Sequence, residues 1–456
     1  EYAGNVIIHW RVWYKENPDD AWVLDKEGQS EPNEPVTISL DKDSYHLIEY
    51  WSEDACGWEE EHHYELDIVD TASPQGIKII GEPKIACEEG ENCDYWVRDH
   101  VTEITLDCVD PEPHPVDHEK LCYKISFDDP PGSYLTEQYC TEFGGTMEGD
   151  ECCVDVSGDA KYTFTFQEDS LHDLEFYCED ALGNKNEADT EWFRVDSTPP
   201  VSKKWFEGPT FNHLGEPDNF WLRDNDTQVI INAYDEADPC AVGVDYVHIE
   251  LWWDSDKDDQ IDTKLWEKDI PANQLPYSFQ IHEDCLHEIR WYAVDKLGNT
   301  EEEHVQQHRV DSQPPVTEKI IGEPKWYDPV HDIWWVNSST KFTLHATDKE
   351  EPCAVGVKFI KVKIDHDKNC DGDFNDPGEK GNWQTITGDT YEFNLPEECL
   401  WRISWYAVDY LGNKESEHVQ LHKVDNTQPH ILILKPVDGW YSDGEDIPVV
   451  ALVEDV

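Results

Sequence analysis

The sequence predicts an all-β protein, a rod of tandem immunoglobulin-like β-sandwich modules with an incomplete module at each end. Three observations predict this class. One phrase repeats four times at the spacing of one sandwich, and apolar residues alternate with polar ones inside it. The 20 Trp, 20 Tyr and 14 Phe favour packed cores over a solvated acidic chain.

The repeated phrase closes each module. It reads ECLWRISWYAVDYLGNKESEHVQLHKVDNTQP at 398–429 and recurs with growing divergence at 284–315, 169–200 and 43–74. The closing prolines lie 126, 115 and 114 residues apart, which suits one sandwich per repeat. We therefore divide the chain as follows: an incomplete module at 1–74, a disulfide-rich module at 75–200, further modules at 201–315 and 316–429, and a strand segment at 430–456.

Each phrase contains a predicted β-hairpin. Ile289, Trp291 and Ala293 occupy alternate positions of a strand, and the run from Asp295 to Asn299 interrupts the alternation. Gly298 permits the positive φ of a tight turn, while an aspartate can accept hydrogen bonds from turn amides. The Val-Asp-x-x-Pro endings stop the last strand and predict short, stiff linkers.

Composition limits the partners and the compartment. The 34 basic and 102 acidic side chains give a net charge of −68, which excludes nucleic acid and anionic membranes as partners and favours cations. No apolar run is long enough to cross a bilayer, and no secretion signal opens the chain. Fourteen cysteines without a Cys-x-x-Cys pair predict disulfides in a secreted, mature chain, outside the cell or on its surface.

The register of the repeats predicts specific disulfides. Cys108 and Cys178 occupy the two positions at which later modules have facing small alanines, so we expect them to pair across the sandwich. The remaining predicted pairs are Cys240–Cys285, Cys353–Cys399 and the short loop Cys87–Cys93. Two further bridges, of open pairing, are expected among Cys122, Cys140, Cys152 and Cys153. Cys56 and Cys370 are free thiols, a link between chains, or a distant pair.

Two acidic loops predict calcium sites. Hard Ca²⁺ prefers six to eight oxygen ligands, and alternating carboxylates on a turning loop can converge on it. The first loop offers Asp365, Asp367, Asn369, Asp371, Asp373 and Asp376, with Gly372 in the turn. The second loop is weaker because it lacks a glycine, and it offers Asp254, Asp256, Asp258 and Asp262. A solvated acidic turn is the alternative for both, and it is the favoured interpretation of the acidic runs 235–238 and 348–351.

The two ends are predicted to complement each other. Residues 1–74 lack the early strands of the other modules, and 430–456 supply two strands that resemble those early strands. Because a sandwich with missing strands exposes core and backbone, we expect copies to join head to tail by strand donation into an open polymer. The alternative is that the sequence is cut from a longer repeat protein.

The Tyr-Ala-Val-Asp-x-Leu-Gly-Asn phrase, as at 406–413, and the ending at 424–429 resemble immunoglobulin-like repeats of bacterial and archaeal surface proteins. The resemblance implies a non-enzymatic part of a stalk, adhesin or filament. We expect a structural subunit of an extracellular filament or appendage, stabilised by disulfides and Ca²⁺. The alternative is a fragment of a surface adhesin that binds glycan or protein. Asn225 and Asn337 match the glycosylation motif.

Overall fold

The structure, a computed structural model, describes residues 4–454 apart from 114, 117, 129–130, 213–219, 237–239, 350–352, 436–442, 445 and 447–448. Strands dominate these residues, together with one α-helix and one 3-10 helix. Among the described residues, no helix has the length and apolar character that crossing a membrane requires. The predicted all-β class of tandem sandwich modules is confirmed. Parts of the predicted strand segment 430–456 lie outside the described residues.

The chain divides into two compact units. The first comprises Glu1–Val201, Ala233–Tyr246 and Ala293–Glu301. The second comprises Ser202–Asn232, Val247–Tyr292 and Glu302–Val456. The segments 233–246 and 293–301 come from the module predicted at 201–315, so two of its loop regions cluster with the first unit.

The first module is one antiparallel sheet of order β2-β1-β3-β4. Its strands are β1 (Ile7–Lys15), β2 (Val23–Gln29), β3 (Ser44–Glu53) and β4 (His63–Val69). Trp10 lies opposite Tyr50 in the pairing of β1 with β3. Within the described part of residues 4–74, the buried hydrophobic side chains are Val12 and Trp51. This sheet therefore has far less core than the sheets of the three modules that follow.

The second module packs a three-stranded sheet, β13-β8-β5, on a larger sheet of order β11-β12-β9-β14-β15-β7-β6 with β10 beside β9. Alternate residues of β14 are buried, from His172 to Cys178, as period-two patterning requires. The elements are β5 (Gln75–Ile80), β6 (Lys84–Ala86), β7 (Tyr95–Val97), β8 (Glu103–Val109), β9 (Lys120–Asp128), β10 (Pro131–Tyr134), α1 (Thr136–Phe143), β11 (Thr146–Glu148), β12 (Glu151–Asp155), β13 (Tyr162–Thr165), β14 (Ser170–Glu179) and β15 (Asp189–Val195).

The third module repeats this architecture, with sheets β16-β19-β22 and β17-β18-β24-β23-β20-β21. Its elements are β16 (Val201–Glu207), β17 (Thr210–Phe211), β18 (Trp221–Leu222), β19 (Gln228–Tyr234), β20 (Val244–Trp253), β21 (Thr263–Pro271), a 3-10 turn (Ala272–Gln274), β22 (Tyr277–Phe279), β23 (Cys285–Asp295) and β24 (His304–Val310).

The fourth module has sheets β25-β28-β31 and β26-β27-β33-β32-β29-β30 around one core that includes Phe342, Ile403 and Ala407. Its strands are β25 (Val316–Ile321), β26 (Lys325–Asp328), β27 (Ile333–Val336), β28 (Lys341–Thr347), β29 (Val357–His366), β30 (Gln384–Thr387), β31 (Thr390–Asn394), β32 (Cys399–Asp409) and β33 (His418–Val424). A two-stranded ribbon, β34 (His430–Lys435) with β35 (Val450–Glu454), follows.

Six disulfides are present among the described residues. They are Cys87–Cys93, Cys108–Cys178, Cys122–Cys153, Cys140–Cys152, Cys285–Cys353 and Cys370–Cys399. The first two are the pairs expected from the sequence, and the next two resolve the open pairing in the second module. Cys56 is an exposed thiol.

Two predicted pairs, Cys240–Cys285 and Cys353–Cys399, are wrong. Val357 pairs with Asp409 at one end of the β29–β32 ladder, and His366 pairs with Trp401 at the other. Cys353 precedes β29 at the first end, whereas Cys399 begins β32 at the second. Ten strand residues, about 33 Å, therefore separate the two ends. The cysteine before β29 instead meets Cys285 of the preceding module, Cys399 meets Cys370, and Cys240 packs with Trp96 and Val242.

Candidate metal sites

The first predicted calcium loop, between β29 and β30, is organised around Asp367. This residue is buried, and its two carboxylate oxygens accept hydrogen bonds from the amides of Asp371 (3.2 Å) and Gly372 (2.9 Å). Asn369 donates to the carboxylates of Asp371 (3.0 Å) and Asp376 (2.6 Å), which draws these side chains together. Asp373 accepts from the amide of Asn375 at 2.8 Å. The loop thus gathers oxygens around a tight turn.

Asp365, the first residue of the predicted ligand set, is paired with basic side chains. One of its carboxylate oxygens accepts from the Arg402 guanidinium at 2.8 and 2.5 Å and lies 3.4 Å from Lys363 Nζ. The other oxygen accepts from the amide of Gly381 at 2.8 Å. Asp365 is fully buried, so this pairing satisfies its charge inside the sheet. Its role as a calcium ligand stays a prediction, with which Arg402 and Lys363 compete for the same carboxylate.

The second predicted loop, between β20 and β21, repeats the same geometry. Buried Asp254 accepts from the amides four and five residues later, those of Asp258 (3.1 Å) and Asp259 (2.8 Å). One carboxylate oxygen from each of Asp254, Asp256 and Asp262 lies within 4.8 Å of the others. Asp256 is exposed, and desolvation together with the negative charges of its three loop neighbours raises its pKa. Three converging carboxylates favour a bound cation.

Glu379 is a candidate ligand that the sequence analysis missed. It is buried, and its carboxylate accepts from the amides of Lys368 (3.1 Å) and Asp376 (3.0 Å). In the shorter loop, Asp262 accepts from the amide of Ser255 at 3.1 Å, so Asp262 and Glu379 close equivalent turns. The loop of the fourth module is longer than that of the third, which hid this equivalence. An alignment of the last acidic residue of each loop would have shown it.

A second class of site recurs where one module ends and the next begins. One carboxylate oxygen from each of three aspartates lies within 4.8 Å of the other two. We call these groups the junction triads; they are Asp70/Asp110/Asp180, Asp196/Asp235/Asp295 and Asp311/Asp348/Asp409. Each combines an aspartate of a closing Val-Asp linker with two from the following module, one after its second long strand and one in its hairpin turn.

Asp235 and Asp348 of the two acidic runs are half-buried members of junction triads. In the middle triad, burial raises the pKa of Asp196 to about 7, and the charges of Asp235 and Asp295 add to this effect. Burial likewise raises the pKa of Asp311 to about 7 in the last triad. Asp238, Glu350 and Glu351 of the acidic runs lie outside the described residues.

The predicted glycosylation sites lie in turns. Asn225 has a positive φ of 57° and is exposed, and its carbonyl accepts from Gln280 Nε2 at 2.7 Å. Asn337 accepts from the amide (2.9 Å) and hydroxyl (2.6 Å) of Ser339, within its own motif. Glycosylation at both positions stays a prediction.

Comparison with known proteins yields no family. No family model matches the chain, and no curated protein matches it. A tetra-tandem repeat in the extending region of a large adhesion protein matches at 13% identity, 93% of each chain and a TM-score of 0.31. A 1.5-MDa bacterial ice-binding adhesin matches at 10% identity, 78% of this chain, 99% of its own and a TM-score of 0.31. The FN1–FN3 domains of chicken CNTN1 match at 10% identity, 78% and 100% coverage and a TM-score of 0.25. Likeness at this level identifies neither a shared function nor a shared ligand.

Proposed function

We propose that this chain is a non-enzymatic structural protein of the extracellular space or cell surface, and that copies join head to tail. In the joint, the β34–β35 ribbon of one copy covers the β1–β4 sheet of the next. Six disulfides support an oxidising compartment. The exposed apolar ribbon is the observation that carries the joining mechanism.

The ribbon has the strand pairing of a sandwich's first two long strands. In the fourth module, Thr317 lies opposite Ala346, one pair inside the end of the β25–β28 ladder. In the ribbon, Ile431 lies opposite Val453 at the same place. Phe342 of β28 is 0% exposed against the large sheet, whereas Ile431 and Ile433 are 59% and 62% exposed. The ribbon thus presents an apolar face of the kind that the complete modules bury.

The β1–β4 sheet is the matching recipient. Tyr50 occupies the position in the repeat that Trp405 occupies in the fourth module, because each lies four residues before the turn aspartate, Asp54 or Asp409. Trp405 is 6% exposed inside its sandwich, whereas Tyr50 is 38% exposed. Covering an apolar face with a second sheet is how β-sandwiches gain stability, so a ribbon from another copy would stabilise both partners. Donor and recipient surfaces differ, which allows an open polymer.

Two full-length variants test this mechanism. Ile433→Asp should disable the ribbon, and Tyr50→Asp should disable the recipient sheet, while Val330→Asp is the matched control at an 82% exposed loop position. Wild type and the control should form polymers by light scattering and electron microscopy, and each disabled variant alone should stay monomeric. Mixed one to one, the two disabled variants should form a dimer, because one intact joint remains. A monomeric wild type, or a mixture that stays monomeric, overturns the mechanism.

A stalk or adhesin segment is the second candidate. The disulfide Cys285–Cys353 joins consecutive modules covalently, which suits a chain that bears load between a cell and a glycan or protein ligand. In this case neighbouring modules of a longer polypeptide cover the ribbon and the β1–β4 sheet. A wild-type chain that stays monomeric and binds immobilised glycan would favour this candidate.

We also propose Ca²⁺ in the loops 254–262 and 367–379. All the candidate ligands are oxygen atoms, which hard cations prefer. Asp254 and Asp367 accept hydrogen bonds from backbone amides of their own loops. These bonds hold each loop in its turn, so the ligands are positioned before an ion binds. Calorimetric titration of the chelator-treated chain with Ca²⁺ tests both loops.

A further inference from the structure

The three junction triads share one construction. Their linker aspartates accept from the amide two residues later, as Asp70 does from Ala72, Asp196 from Thr198 and Asp311 from Gln313. Their turn aspartates accept from the amide four residues later, as Asp180, Asp295 and Asp409 do from Asn184, Asn299 and Asn413. The same construction therefore recurs at three successive junctions of the repeat.

The middle triad is enclosed and negatively charged. Asp196 and Asp295 are buried, and Asp235 is half-buried. Asp196 accepts from the amide of Val242 at 2.8 Å, and Asp235 accepts from that of Gly243 at 2.7 Å. None of the three carboxylates forms a salt bridge with a described residue. The positive charge of Lys296 partly offsets the raised pKa of Asp235, although the two side chains form no ion pair. Buried carboxylates this close need a cation or a proton between them.

Asn299 supplies an observation independent of the carboxylates. Its side chain is 1% exposed. Its Nδ2 donates to the Asp196 carbonyl at 3.1 Å and to the Asp295 carboxylate at 2.6 Å. Its Oδ1 is buried and has no hydrogen-bond partner. Oδ1 belongs to the same amide group as Nδ2, which contacts Asp295 of the triad. A buried carbonyl oxygen without a donor is costly unless it coordinates a cation.

The other two triads contain the same asparagine. Asn184 donates to the Asp70 carbonyl at 3.3 Å and to Asp180 at 2.7 Å. Asn413 donates to the Asp311 carbonyl at 3.1 Å and to Asp409 at 2.7 Å. Each junction therefore offers three carboxylates and one amide group from the linker, the strand end and the turn.

We propose that each junction triad holds one divalent cation of the Ca²⁺ class, which tethers the closing linker of one module to two loops of the next. An all-oxygen ligand set selects a hard cation, and Ca²⁺ tolerates the irregular geometry of ligands drawn from three segments. These sites are separate from the loops 254–262 and 367–379. They do not depend on head-to-tail joining, since every ligand of a triad comes from one chain.

The test counts bound ions on the full-length chain by native mass spectrometry. The chelator-treated protein is kept dilute, so that assembly does not enter the result, and is titrated with Ca²⁺ in a background of Mg²⁺. Asp235→Asn should bind one ion fewer than wild type, or bind that ion at least tenfold more weakly. The matched control Asp245→Asn makes the same charge change at an exposed position of the same module and should bind as wild type does. Equal counts and affinities for wild type and Asp235→Asn overturn the proposal.

Hydrogen exchange on the wild type gives an answer even if Asp235→Asn does not fold. The amides of Val242, Gly243 and Asn299 are held by triad carboxylates. Ca²⁺ should slow exchange at least threefold in peptides covering 240–246 and 295–300, relative to the chelated chain. The peptide 136–143 in α1 contains no proposed ligand and should not change. Unchanged exchange at both ligand peptides contradicts a cation at this junction.

Discussion

Neutralising one member of the middle triad should change stability in a calcium-dependent way. Asp235 accepts one backbone hydrogen bond, from Gly243 to Oδ2, while Oδ1 has no hydrogen-bond partner. An asparagine keeps this acceptor and turns its NH₂ group toward the two remaining carboxylates. Asp235→Asn should therefore stabilise the chelated chain and weaken its response to Ca²⁺.

The size of the effect follows from the spacing of the triad. Two charges 4.8 Å apart, the largest separation within the triad, repel by about 3.5 kcal/mol at an effective dielectric constant of about 20. Asp235 takes part in two of the three pairs, so about 7 kcal/mol of repulsion acts on it when all three carboxylates are ionised. Burial raises the pKa of Asp196 to about 7, so protonation already relieves much of the repulsion near neutral pH. In chelator we expect Asp235→Asn to increase the free energy of unfolding by about 2 kcal/mol, which raises Tm by about 5 °C.

Calcium should then stabilise the variant less than the wild type. At a Ca²⁺ concentration of 100 times Kd, binding stabilises the wild-type junction by about 2.7 kcal/mol, and a tenfold weaker site gains about 1.4 kcal/mol. Thermal melts followed by circular dichroism, with chelator and with Ca²⁺, measure both effects, and Asp245→Asn is the control. The electrostatic reasoning is refuted if Asp235→Asn lowers Tm in chelator, or if Ca²⁺ raises Tm equally in variant and wild type.

Three further predictions concern the other buried groups. Burial lowers the pKa of Lys319 to about 7. Between pH 7 and 10 the unfolded chain therefore binds more protons than the folded chain, and stability rises with pH. Lys319→Met should flatten this rise in urea titrations and increase the free energy of unfolding by about 2 kcal/mol at pH 7. An unchanged slope would contradict it. Cys285→Ser should lower the free energy of unfolding by up to about 4 kcal/mol. Non-reducing peptide mapping of the wild type should find Cys285 linked to Cys353, and a different partner would contradict this pairing. Glu379→Gln should weaken Ca²⁺ binding about tenfold in calorimetry, whereas Asp365→Asn should lower Tm and leave the affinity within about twofold. The reverse pattern would identify Asp365 and not Glu379 as the ligand.

The sequence alone determined the features that depend on neighbouring residues. The fourfold phrase, its two-residue alternation and its Asp-x-x-Gly turns predict tandem sandwiches, because strand and turn preferences are read within about ten residues. The disulfide Cys108–Cys178 could also be predicted from the sequence, since the two cysteines replace two alanines of the repeat within one module. The loops 254–262 and 367–379 were visible as dense runs of acidic residues for the same local reason.

Contacts that join distant segments depend on how the modules fold and pack. Cys285 meets a cysteine of the next module because strand direction puts the two cysteines of one module at opposite ends of a sheet. Asp196 and Asp295 are about one hundred residues apart, and each looks like an ordinary linker or turn aspartate in its own context. Their burial in one triad depends on how the end of one module packs on the start of the next, and local sequence patterns carry no record of that packing.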